Sequence, residues 1–157
     1  MSGPRRRSRV AALQILHQMD VSPELDADGA LSLYFGQFAA GGNAIAVDED
    51  EPSASADSGP VDRALVDQLI HGIFEHRAEL DQMLSAASKN WRVERMAVVD
   101  RNVIRLALYE IKFSTDVPVA VSINEAIELC KQFGSAEAPA FVNGLLDRAV
   151  DELGLRR

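Results

Sequence analysis

The sequence predicts an all-α fold of about seven helices in one domain, and three observations carry that prediction. Apolar residues recur at helical spacing through nearly the whole chain. Pro, Ser and Gly punctuate the periodic stretches where helices start and stop. The β-branched run Val117-Pro118-Val119-Ala120-Val121 has no second run to pair with as a hairpin, and no internal repeat is visible. The 157 residues, 47% of them apolar, have the size of an ordinary domain, able to hold a core without disulfides or metal.

In chain order, Ala12, Ile15, Leu16 and Met19 form one stripe of a helix reaching about Val21. Ser22-Pro23-Glu24 then predicts a restart, with Ser as N-cap, Pro in the first turn and Glu at the positive end of the dipole. Leu31, Tyr34, Phe35 and Phe38 continue that second helix, and Gly41-Gly42 ends it. Residues 41–60 lose periodicity and carry Asp48-Glu49-Asp50-Glu51, which predicts a flexible acidic loop. From Val61, Leu65, Val66, Leu69, Ile70, Ile73 and Phe74 make a strong stripe, and Leu80, Met83, Leu84 and Ala87 make another. Lys89-Asn90-Trp91 reads as a turn with an aromatic anchor. Val99, Val103, Leu106, Ala107 and Ile111 place a largely buried helix that ends near Phe113, before Asp116-Val117-Pro118. A helix from about Val119 to Phe133 stops at Gly134, read as a C′ glycine, and Pro139 opens a last helix with Val142, Leu145, Leu146 and Ala149 inward.

Charge is unevenly distributed. Residues 1–9 hold Arg5, Arg6, Arg7 and Arg9 without an acid, residues 10–62 hold ten acids and no Lys or Arg, and residues 63–157 hold twelve bases and fourteen acids. These parts carry +4, −10 and −2 and make up the net −8. An acidic surface argues against nonspecific nucleic-acid binding by the whole molecule, but a local cationic arm remains at residues 1–9. Such an arm suits a phosphate backbone, on which it would order itself; its plainer reading is a solubilising tail.

Other function classes lack support. No apolar run approaches the roughly 18 residues of a membrane helix, and the basic N-terminus has no apolar h-region, so no secretory signal is expected. The lone Cys130 suits a reducing, cytoplasmic location and reads as a structural thiol. Glycine-rich phosphate loops are absent. His17, His71 and His76 are scattered, and the last two, five apart, lie about 140° from each other around a helix, so no metal or other cofactor is expected. The carboxylate pairs Glu125 with Glu128 and Asp147 with Asp151 read as solvated helix faces, and no catalytic residue is assigned.

The succession WRVERMAVVDR from Trp91 to Arg101, IRLALYE from Ile104 to Glu110, Asp116-Val117-Pro118, INEAIEL from Ile123 to Leu129, KQFG from Lys131 to Gly134 and FVNGLLD from Phe141 to Asp147 resembles the NusB transcription antitermination factor family. The N-terminal RRRSR followed by AALQIL fits that family's first helix, and the likeness is thin only from about Asp26 to Val61. The resemblance implies an all-helical fold of two packed sub-bundles spanning residues 1–157. It implies binding of boxA-type RNA in rRNA transcripts together with the ribosomal protein NusE, docking on the RNA polymerase elongation complex, and no catalysis; a homodimer is also compatible with it. By the resemblance, Arg5, Arg6, Arg7, Arg9 and Phe141 contact RNA, although Phe141 also shares a core stripe with Leu145 and Ala140 stands where the family usually has Lys. His17 and Asp100 fall at the implied protein interface. Asp100 is in addition expected to cap its helix through the N–H of Asn102 or Val103, and Asp100→Lys to weaken partner binding with the fold intact. Two rival readings stand beside this one. One is the NusB-like N-terminal domain of rRNA cytosine methyltransferases, with no cofactor-binding domain expected before Arg157. The other is a helical protein–protein adaptor without direct RNA binding.

Overall fold

A computed structural model describes residues 3–39, 60–89, 92–114 and 116–155. Among them are seven α-helices, one 3-10 helix and no strand. The chain divides into two compact units, Met1–His71 and Gly72–Arg157. The expectations for Phe38, for Gly41-Gly42, for the acidic loop and for Asn90-Trp91 lie outside the described side chains and residues.

In the first unit, α1 (Pro4–Val21) buries the predicted stripe of Ala12, Ile15, Leu16 and Met19, and Ala11 and Leu13 beside it. It begins earlier than the stripe suggests, because Pro4 sits in the first turn, where its missing N–H costs nothing. The restart at Ser22 does not occur. The Ser22 N–H is already used on Gln18 O (2.8 Å), and Leu25 N closes a turn on Ser22 O (3.0 Å) around Pro23. α2 (Ala27–Ala39) starts five residues later, with the Asp26 carboxylate accepting from Gly29 N at 2.7 Å as its cap. Ala27, Ala30 and Leu31 are buried, Tyr34 donates to Gln14 Oε1 (2.8 Å), and Arg63 lies 3.8 Å from the Phe35 ring centre. α3 (Arg63–Glu75) is capped by Asp62, whose carboxylate accepts from Leu65 N at 3.2 Å. Val66, Leu69, Ile70 and Ile73 are fully buried, but Phe74 is 43% exposed, so the inward stripe is narrower than its apolar residues suggest.

In the second unit, a turn at His76 separates the end of α3 from α4 (Arg77–Ser88), which buries Leu80, Met83, Leu84 and Ala87 as predicted. A short 3-10 helix, Val93–Arg95, follows. α5 (Val98–Phe113) is buried without a break from Asn102 to Ile111 and packs against α4, α6 (Val119–Phe133) and α7 (Ala138–Glu152). Its polar members are matched. Arg105 holds both carboxylate oxygens of Asp81 (2.7 and 3.0 Å) and Asn102 Oδ1 (3.0 Å). Tyr109 lies against Gly72, where an added Cβ would come within 2.2 Å of the ring. The β-branched run at 117–121 enters α6 with Pro118 as its N-cap rather than forming a strand.

Gly134 ends α6 as predicted but not as a left-handed C′ residue, since its φ is −97°. Space is what selects glycine there: a Cβ would meet Cys130 O at 2.9 Å and the Ala138 Cβ at 3.0 Å. Pro139 takes the first turn of α7, and Val142, Leu145 and Leu146 are completely buried beneath it.

Candidate functional site

The cationic arm is already a helix. Arg5, Arg6, Arg7 and Arg9 occupy the first turns of α1 behind an N-cap glycine, Gly3, that makes no side-chain cap bond. Ser8, fully buried, explains why these turns hold. Its hydroxyl donates to Pro4 O (2.6 Å) and accepts from Asp62 N (2.7 Å), while Arg7 Nε donates to Pro60 O (2.9 Å). The start of α1 is thereby stapled to the segment that enters α3. An arm that orders only on its ligand is therefore not what the sequence encodes, at least from Pro4 onward.

The four arginines differ. Arg5 is exposed, Arg6 and Arg7 are half-buried, and Arg9 keeps only 4% of its surface. Stacking four cations on the positive end of a helix dipole, with no acid in the first turn, opposes local electrostatics. The same arrangement adds backbone and side-chain potential of one sign, which is what an anion requires.

His17 lies exposed on α1, in the first unit. Asp100 and Phe141 belong to the second. Asp100 is not the N-cap of α5: that position is Ala97, and Asp100 stands in the first helical turn, half-buried, with no cap bond. Among the described residues its Oδ1 is buried without a hydrogen-bond partner and would lie 3.4 Å from a Cβ on Gly134, so its carboxylate sits over the α6–α7 connection. Burial raises the Asp100 pKa from its ordinary value. Burial, and then the charge of Asp100, also push the Cys130 thiol up to about 12, leaving it an inert core group at neutral pH. Phe141 is half-buried, one turn from the fully buried Leu145, while the neighbouring Ala140 is exposed. It is thus both a packing residue and a surface one.

No group of three or more His, Cys, Asp or Glu among the described residues could hold a metal ion. His71 instead lies 3.1 Å from Asp28, and His76 stacks on Phe113 at 4.3 Å and lies 3.5 Å from Glu79. Sequence reasoning missed Ser8 and Asp62, which set the geometry of the arginines. The two are 54 positions apart, and nothing local marks them as a pair. No described helix is long and apolar enough to cross a membrane.

Comparison with known proteins agrees over nearly the full length. The NusB family model matches residues 6–151. The transcription antitermination protein NusB of Geobacter sulfurreducens is 41% identical over 155 residues, 96% of each chain. That of Bacillus subtilis is 38% identical over 149 residues, covering 95% of this chain and 96% of its own. Among solved structures, Thermotoga maritima NusB ("T. maritima NusB") aligns over 97% of this chain and 94% of its own, with a TM-score of 0.73 and 34% identity. A structure of the antitermination factors NusB and NusE in complex with dsRNA aligns over 97% and 99%, with a TM-score of 0.71; at 19% identity it speaks for the fold alone.

Proposed function

The chain belongs to the NusB family, and from that premise we propose that it is an RNA-binding transcription antitermination factor. With the ribosomal protein NusE it binds boxA-type RNA of rRNA transcripts and supports read-through by RNA polymerase. It acts in the cytoplasm and by assembly rather than catalysis.

The observation that carries the RNA-binding part is the arginine cluster on the first turns of α1. Those turns give up helix-dipole stability to concentrate positive charge, in a chain whose net charge is −8. Arg5, Arg6 and Arg7 are the members with surface to offer phosphates and unpaired bases. Arg9, nearly buried, supports the helix and contributes potential rather than a direct contact. Phe141 adds an aromatic face on α7. His17 and Asp100 serve the protein partner, His17 from an exposed and Asp100 from a half-buried position.

The test is a fluorescence titration of boxA-type RNA against salt. Three arginine–phosphate contacts on a single strand give a log–log slope of about −2. Replacing Arg5, Arg6 and Arg7 by Gln should flatten that slope while α1 stays folded, which deletion of residues 1–9 would not allow because it removes Ser8. If the parent chain binds no RNA, with or without NusE, the protein is a helical adaptor instead.

A further inference from the structure

We propose that the groove between the end of α4 and the 3-10 helix is a second RNA contact, in which Arg92 and Arg95 hold backbone phosphates and Glu94 reads a base amino group. This rests on the RNA-binding reading above and adds to it a site in the other compact unit. The groove is a shallow, open one of about 420 Å³, lined by Ser85, Arg92, Val93, Glu94 and Arg95. That volume falls in the range that accepts a small polar molecule of nucleotide size.

Three features point to a nucleotide rather than a bare anion. Arg92 and Arg95 are exposed, and neither side chain has a hydrogen bond or ion pair among the described residues. Arg63, Arg105, Lys112 and Lys131 are paired with Asp67, Asp81, Glu79 and Glu128, whereas Arg92 and Arg95, like the exposed Lys89 and Arg148, keep their charge available. The 3-10 turn is closed by Arg95 N on Arg92 O (3.0 Å), with Arg92 as its extended N-cap, and both arginines line the groove. Glu94 lies between them in sequence, lines the same groove and pairs with neither. What separates a nucleotide from a bare anion is the base, whose exocyclic amine, such as cytosine N4, can donate a hydrogen bond to the Glu94 carboxylate. Ser85 supplies a hydroxyl, able to donate to a phosphate oxygen.

The experiment uses the full chain and a fluorescein-labelled boxA-type RNA, alongside the same RNA with its cytosines replaced by uridines. Arg92→Gln and Arg95→Gln should each weaken binding about five-fold near 0.1 M salt and lower the salt slope by about 0.7. Glu94→Gln should leave the slope unchanged and reduce the preference for the cytosine-containing RNA. Because all three side chains are exposed, circular dichroism melts should match the parent. If the two arginine variants keep the parental slope while the Arg5, Arg6 and Arg7 variant flattens it, the groove is not an RNA site and the function stands. If they weaken only NusE binding, the groove is a protein contact and the inference falls. If the parent binds no RNA, inference and function fall together.

Discussion

Asp100 shows what a single residue's surroundings do to a simple reading. Its position before an apolar helix stripe suggests an N-cap, yet the helix starts two residues earlier and its Oδ1 ends up buried and, among the described residues, unpartnered beside Gly134. The folded-state pKa is raised, so the protonated form is favoured in the native state. Its contribution to stability is therefore full at acid pH and is lost as pH rises through the folded value. Asp100→Asn should remove that dependence: relative to the parent, the variant gains stability as pH rises through the folded pKa of Asp100, as read from urea midpoints. A parallel pair of pH profiles would show that Oδ1 is solvated after all. Asp100→Lys should weaken partner binding, with a melt beside it to report whether the fold tolerates a cation at this half-buried position. Glu79 has the opposite sign. Its hydrogen bond from Lys112 holds its pKa low, so its contribution is present at neutral pH and is lost as pH falls through the folded value.

At the scale of elements, two junctions hold the helices where they are. Ser8→Ala removes the bond to Pro4 O and leaves Asp62 N without its acceptor, at a cost of about 1–3 kcal/mol. Hydrogen exchange should show the first turn of α1 and the start of α3 losing protection together; loss at only one of them would mean that the staple is not shared. In the second unit, Gly72→Ala drives a methyl into the Tyr109 ring and should destabilise by about 1–3 kcal/mol. Adding Tyr109→Leu removes the ring atoms that clash, so the double variant should lie closer to the parent than the sum of the single changes. Asp81→Ala strands the nearly buried Arg105 and should cost about 2 kcal/mol, a discounted figure because Asp81 is itself partly exposed. A thermal shift within error of the parent would show that Asn102 and the other contacts of Arg105 satisfy the guanidinium without Asp81.

For the whole molecule, charge distribution matters more than net charge. An acidic chain of −8 repels nucleic acid at long range, while four arginines gathered at one helix start attract it locally. RNA affinity should thus fall with salt along the shallow slope of a few contacts, rather than the steep one of a basic protein. The residues 10–62, with ten acids and no Lys or Arg, should in turn speed association with a basic ribosomal protein. Stopped-flow rates for NusE that fall with added salt would support this steering, and salt-independent rates would exclude it.

The sequence by itself determined the helical class, the order of the helices, most of the inward stripes and the family. Each of these follows from periodicity or from motifs a few residues long. It also located the cations, since charge is a property of composition. Only tertiary structure decided which of those cations can act. Arg9 is taken out of solvent, Ser8 and Asp62 meet across 54 positions, and Arg92 and Arg95 come to line one groove. The same holds for the helix ends that were misread. The start of α2 and the geometry of Gly134 depend on which backbone groups and which Cβ positions neighbouring segments already occupy. Burial and contact between distant segments are products of packing, and no local spacing records them.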